Sequence, residues 1–215
     1  MSEIFEAARR SAGEAVGNAV VKALKGRGFD AVYAGSKEKA LELVLEKIPN
    51  GATVGIPGSV TVREIGAIEA LESRGCTVYQ HWGPLTPKAR LQARMDENAA
   101  DVFLTSANAL TQDGQIISID GDGNRVAAQA WGCGVLIFVI GLNKLAPNLE
   151  DGLRRARAAA IPNALRLGST LPCTQAGHCV DCRSDSRICR ATLILEAPTH
   201  GRETHVILVG TELGF

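Results

Sequence analysis

Apolar positions recur at three- and four-residue steps from Ile4 and Phe5 through Ala8, Ala12, Ala15, Val16, Ala19, Val20, Ala23 and Leu24. That period predicts a helix over residues 3–27, stopped by Gly26 and Gly28. The pattern then changes to short continuous apolar runs. Asp30–Ala34 predicts a strand, and Ser36 a cap for a helix reaching about Ile48, with Ala40, Leu41, Val44 and Leu45 on one face. Residues 53–56 predict a buried strand. The next helix, to about Ser73 with Gly75 as its stop, is expected to begin at Thr61 and Glu64, which have capping-box spacing. A strand at 76–79 follows, and Thr86-Pro87 opens a helix to about Ala99.

Val102–Thr105, residues 115–120 and Val135–Gly141 predict three further strands. Turn signals at Asp113-Gly114 and Gly121-Asp122-Gly123-Asn124 bracket the second. Residues 125–131 predict a short helix. Asn148 caps a longer one to about Leu165, ended or kinked near Pro162. Two β-rich runs, 192–196 and 205–210, close the chain and predict a hairpin or an addition at a sheet edge. Strands alternating with helices predict an α/β fold: one open, mostly parallel sheet with helices on both faces. Without repeats or a linker, the expectation is one domain over 1–215, carrying a cysteine-rich loop at 170–190.

Composition narrows the function classes. Hydrophobic residues make up 46% and charged residues 21%, a globular balance. Lys+Arg and Asp+Glu number 23 each, which removes the broad electrostatic basis for binding nucleic acid. Mean hydropathy is +0.06, yet the longest apolar run, 135–142, is strand-sized and far short of the ~20 residues of a membrane helix. Met1-Ser2-Glu3 does not open a basic-then-apolar leader. The expectation is a cytoplasmic protein with no membrane partner.

Three segments carry candidate chemistry. Gly55-Ile56-Pro57-Gly58-Ser59-Val60-Thr61 joins a strand to a helix start, where amides and the Ser59 and Thr61 hydroxyls suit an anion. It is neither a P-loop nor a dinucleotide fingerprint, so there is no NAD or ATP signature, and an ordinary capped turn explains it too. The second runs from Ser106 and Asn108 to Gly121, Gly123, Asn124 and Arg125. There Asn124 is expected to cap the short helix and Arg125 to meet a carboxylate or phosphate, the alternative being a turn braced by a structural arginine. The two segments are expected to converge on one cleft that takes a small anionic metabolite.

The third is Cys173-x5-Cys179-x2-Cys182-x6-Cys189. Four thiols in one segment suit an iron–sulfur cluster or zinc, with free thiols as the remaining option. His178 is a spare ligand. Cys76 and Cys133 sit alone in apolar surroundings, and His81, His200 and His205 are expected to be structural or surface residues.

The run Thr105-Ser106-Ala107-Asn108-Ala109-Leu110-Thr111, Asp113-Gly114, Ile119-Asp120-Gly121 and Gly123-Asn124-Arg125-Val126-Ala127 resembles the LUD (lactate utilisation) domain family. Gly58-Ser59-Val60-Thr61, Gly141-Leu142-Asn143-Lys144 and the close at 205–215 support the likeness, and the cysteine segment looks like the family's short stand-alone members. The resemblance implies a fold like ribose-5-phosphate isomerases and CoA transferases. It also implies a part in oxidation of L-lactate or another organic acid, as an accessory or electron-transfer component beside iron–sulfur oxidoreductase subunits. The other reading is an enzyme or sensor for a phosphorylated or CoA-linked metabolite. A third is a scaffold that assembles as a homo-oligomer. One departure stands out. The isomerases carry an acidic pair where this chain has Ser106-Ala107-Asn108-Ala109, which leaves proton abstraction without a base in that segment.

Overall fold

The computed structural model describes residues 2–132 and 134–215, so Cys133 lies outside the described residues. In chain order the elements are α1 (Ser2–Gly26), β1 (Asp30–Ala34), α2 (Lys37–Lys47), β2 (Thr53–Gly55), α3 (Val60–Glu64), α4 (Ala67–Ser73), β3 (Thr77–Tyr79), α5 (Pro87–Ala99), β4 (Val102–Thr105) and β5 (Ala109–Thr111). They continue with β6 (Ile116–Asp120), α6 (Asn124–Ala130), β7 (Val135–Gly141), a 3-10 turn (Leu142–Lys144), β8 (Leu145–Ala146), α7 (Leu149–Ala158), α8 (Ala160–Arg166), α9 (Pro172–Ala176), β9 (Ala191–Leu195) and β10 (Thr204–Val209).

Six strands form an all-parallel sheet in the order β1-β10-β7-β4-β2-β3. The side-chain period of two sorts β7 and β10 between two cores. Ile137, Val139, Ile207 and Val209 join Val44, Ile48, Val54 and Leu71 on one face, beneath α2 and α4. Leu136, Phe138, Ile140, Val206 and Leu208 meet Val20, Leu24 and Phe103 on the other, beneath α1. A smaller sheet, β8-β5-β6-β9, lies on that second face. Its Ala109, Ile117 and Ile119 turn outward to Ala156 of α7. The parallel α/β sheet is as expected; the second sheet, with its antiparallel pairs, is an addition.

The final β-rich runs form neither a hairpin nor an edge. All six residues of β10 are buried, and it lies between β1 and β7. β9 pairs with β6 in the other sheet. A strand covered on both faces should be continuously apolar, and Val206-Ile207-Leu208-Val209 already has that form.

Capping also differs in places. Ser36, Thr86 and Asn148 cap their helices as expected. Thr61 does not. Ser59 Oγ accepts from the Val62 amide at 3.3 Å, while Glu64 Oε2 accepts from the Gly214 amide at 2.6 Å. The helix expected to run to Ser73 breaks at Gly66, whose φ of +72° an L side chain rarely adopts. Gly123 stands at the start of α6, and Asp120 Oδ2, not Asn124, accepts from the Arg125 amide at 2.8 Å. The helix after Asn148 turns at Ala159, and Pro162 sits in the first turn of α8, where its missing N–H costs little. Segment 170–190 is irregular apart from α9.

Candidate functional site

The carboxyl ends of β2, β3, β4 and β7 open into a cleft of about 990 Å³. This is where an open parallel sheet presents its loops to a ligand. Gly58, Ser59 and Thr61 follow β2; Ser106 and Asn108 follow β4; Gly121, Asn124 and Arg125 come from the turn after β6. All eight line this one cleft, whereas Gly123 does not. Part of segment 170–190 forms a further wall through Arg187, Ile188 and Arg190. A Cβ on Gly121 would come within 3.2 Å of Ile188 Cα, so these two stretches of backbone pass close together.

At the end of β7 stands a residue the motif reading did not include in the cleft. Lys144 is 3% exposed. Its Nζ donates to Thr61 Oγ1 at 2.8 Å and to Ser106 Oγ at 2.9 Å. Burial, with the nearby Arg155 and Arg125 charges, lowers its pKa to about 7 against the small opposing pull of Glu64. Arg155, from α7, donates Nε to the Asn143 carbonyl at 2.8 Å and Nη1 to the Asn108 carbonyl. Arg125 Nη2 donates to Asn108 Oδ1 at 2.8 Å and to the Ile119 carbonyl. No carboxylate lies within ion-pair distance of Lys144, Arg125 or Arg155 among the described residues. Three cations therefore converge on neutral oxygens, and burial pulls each of their pKa values down. A sequence signal for Lys144 did exist: Gly141-Leu142-Asn143-Lys144 directly follows the most apolar strand. The helices opening at the cleft, α3 and α6, are short, so the positive charge around Lys144 comes from these side chains more than from helix dipoles.

Another part of the lining is aromatic and basic. Two guanidinium groups lie over the Trp82 ring, Arg63 at 3.9 Å and Arg166 at 4.5 Å from its centroid. Arg94 is bridged to Asp122 at 2.5 Å. His81, expected to be structural or at the surface, lines the cleft and bonds through Nδ1 to Glu97 Oε1 at 2.7 Å. Burial pushes the Glu97 carboxyl above its usual range, and the His81 bond works against that rise. Their pairing was hidden because Glu97 comes from α5 and His81 from the loop after β3. His205 is likewise tied, at the amino end of the sheet, to Asp30 at 2.6 Å and Glu203 at 2.7 Å.

Cys173, Cys179, Cys182 and Cys189 are half-buried free thiols. Burial and then the charges of Cys182, Cys189 and Cys179 raise the pKa of Cys173, so all four lie within electrostatic reach. Among the described residues, however, no three His, Cys, Asp or Glu side chains form a set that could hold a metal ion. The grouping thus does not fit a ready-made metal site. His178 is exposed and bonds to the Ala176 carbonyl at 3.0 Å. Arg187 ties the segment together, donating to the Cys182 carbonyl at 2.7 Å and the Cys189 carbonyl at 2.9 Å. Cys76, as expected, packs in the core. No helix among the described residues is long and apolar enough to cross a membrane.

Comparison with known proteins follows the same outline. No curated protein matches this chain. Among solved structures, it is similar to a DUF162 family protein from Deinococcus radiodurans, with a TM-score of 0.53, 14% identity, and coverage of 92% of this chain and 98% of that one. At that identity the likeness speaks for the fold alone. Partial likenesses extend to ribose 5-phosphate isomerase from Plasmodium falciparum (TM-score 0.35, 18% identity, 52% of each chain). They extend also to a D-ribose-5-phosphate isomerase in complex with phospho-erythronic acid (TM-score 0.33, 15% identity, 61% of this chain and 62% of that one). The LUD domain matches residues 18–209, from the middle of α1 to the last residue of β10. This chain belongs to the LUD domain family.

Proposed function

We propose that the cleft binds a small organic anion, carboxylate or phosphate, and that the protein serves the use of lactate or a related organic acid. The observation that carries this reading is Lys144: a buried amine whose hydrogen-bond partners among the described residues are hydroxyls, beside Arg125 and Arg155, with no carboxylate at ion-pair distance among the described residues. A buried charge without a partner is costly, and an anionic ligand supplies that partner. Calorimetric titration with L-lactate, pyruvate, a sugar phosphate and a CoA ester tests it and separates the carboxylate, phosphate and CoA-linked versions. Lys144→Met is expected to weaken the binding anion by about tenfold or more, as loss of a charge-assisted bond does. Failure of all four to bind sinks the reading.

A second reading, an electron-transfer component carrying an iron–sulfur cluster or a zinc-stapled loop, is favoured by one observation, the grouping of three thiols around Cys173. The metal itself would have to draw the four sulfurs together. Anaerobically purified protein analysed for iron, zinc and acid-labile sulfide decides between this reading and free thiols.

A further inference from the structure

The cleft carries a further pair of groups, His81 and Glu97, that anion binding does not require. α5 buries no apolar side chain; its one buried residue is Glu97, whose side chain is 1% exposed. The helix comes this close because position 55 lacks a side chain: a Cβ on Gly55 would lie 2.0 Å from the Glu97 carbonyl oxygen. One carboxylate oxygen meets His81 Nδ1, and the other, Oε2, is buried without a hydrogen-bond partner among the described residues, although the His81 backbone amide also favours the charged carboxylate. A neutral bond would tie this loop to α5 at less cost than a half-satisfied buried carboxylate. An ionised carboxylate only accepts, so His81 Nδ1 carries a proton, and in the neutral imidazole the lone pair is then on Nε2. Nε2 makes no hydrogen bond among the described residues, and His81 lines the cleft.

Two arginines face this pair. Arg90 donates Nη1 to the His81 carbonyl at 3.3 Å, and the Arg94 charge, itself bridged to Asp122, acts on Glu97. In the same cleft Ser106 Oγ accepts from Lys144, and its own proton is donated to no group among the described residues. The cleft thus holds both a proton acceptor and a polarised hydroxyl.

We infer that His81, oriented by Glu97, is a general base that takes a proton from the carbon beside the carbonyl of an anionic substrate held in this cleft. The inference rests on the anion-binding reading above. The C–H bond breaks and its proton goes to His81 Nε2. The C–H electron pair forms the C=C of an enolate, and the carbonyl π pair moves onto oxygen, where the Ser106 hydroxyl and the Lys144 charge hold it. Return of the proton restores the ketone, so the exchange needs no oxidant and no second substrate. It also supplies the base that the 106–109 segment lacks. His81 is the catalytic residue and Glu97 a positioning residue.

The full chain is incubated in D2O with pyruvate or with dihydroxyacetone phosphate, which separates a carboxylate from a phosphate as the anchoring group. Loss of the C–H signals is followed by NMR, and binding of each compound by calorimetry in the same buffer. Exchange above the buffer rate is expected with one of the two. His81→Gln is expected to reduce it by about 100-fold, the lower range of general-base catalysis, with binding and melting temperature retained. Glu97→Gln, which keeps the shape and removes the charge, is expected to lower exchange and displace its pH profile while binding persists. Wild-type exchange no faster than buffer overturns the inference, as does a His81→Gln protein that exchanges normally. So does a Glu97→Gln protein whose loss merely tracks its folded fraction, with the pH profile unmoved. Binding without exchange removes the base and leaves the anion site standing; no binding of either compound removes both.

Discussion

Lys144 connects the cleft to pH. Its folded pKa of about 7 lies below the ordinary lysine value of 10.5, so between those values the unfolded chain holds more protons than the folded one. Stability from this residue therefore rises with pH across that window, and below about 7 the folded state bears the cost of a buried charge. The ligand-free protein is expected to gain melting temperature on going from pH 7 towards 10, relative to Lys144→Met, in paired thermal scans. Anion affinity runs the other way. It is expected to weaken as pH rises through about 7 and the ammonium is lost, and titration at several pH values reads this directly. Arg125 offers a geometric test beside it. Its fork is partly used by Asn108 Oδ1 and the Ile119 carbonyl. If charge dominates, Arg125→Lys keeps more affinity than Arg125→Ala; equal losses point to the planar fork.

Between elements, the starts of β2 and β4 are stapled by one reciprocal pair. Asp101 Oδ2 accepts from the Thr53 amide at 2.9 Å and from Thr53 Oγ1 at 2.7 Å, while Thr53 Oγ1 accepts from the Asp101 amide at 2.8 Å. The Thr53 bonds hold the Asp101 carboxyl below its ordinary value of 3.8. The staple's contribution is complete above that value and disappears as pH falls through the lowered folded pKa. Thr53→Val is expected to cost about 1 kcal/mol in urea denaturation at pH 7, since it removes two of these bonds at an exposed site where water replaces them in part. The same comparison at a pH below both pKa values should show a smaller difference. Periodicity cannot reveal this staple, although it locates both strands: what joins Thr53 to Asp101 is the parallel pairing of β2 with β4.

At the scale of the whole molecule, the cysteine segment belongs to the cleft. Arg187 lines the cleft while holding the carbonyls of Cys182 and Cys189, so a rearrangement of this backbone is expected to move the cleft wall. If the segment takes up metal, Cys182→Ser is expected to lower metal content and melting temperature together, because metal binding contributes to folding. Metal analysis and thermal scans of anaerobic preparations check this. Protein without iron or zinc, and with unchanged melting on substitution, returns the four cysteines to the status of free thiols.

The elements themselves were legible in the chain. Continuous apolar runs marked β1, β2, β4 and β7, and Ser36, Thr86-Pro87 and Asn148 marked helix starts, because those choices are settled by a residue and its near neighbours. The loops that follow β2 and β4 were also readable, since a strand that ends in Gly-Ser or Ser-Ala-Asn places polar groups at its carboxyl end. Which strand neighbours which was not readable. β10 entered the interior of the large sheet and β9 joined the small one, although both end runs are β-rich and only the continuous apolar run of β10 hints at the difference. That choice rests on burial of both faces of β10 by residues from the amino-terminal half of the chain, such as Val20 and Val44. Only the tertiary structure could bring Glu97 under His81, or enclose Lys144 between Thr61 and Ser106. A side chain's charge state depends on what surrounds it in space, and those neighbours are distant in the sequence.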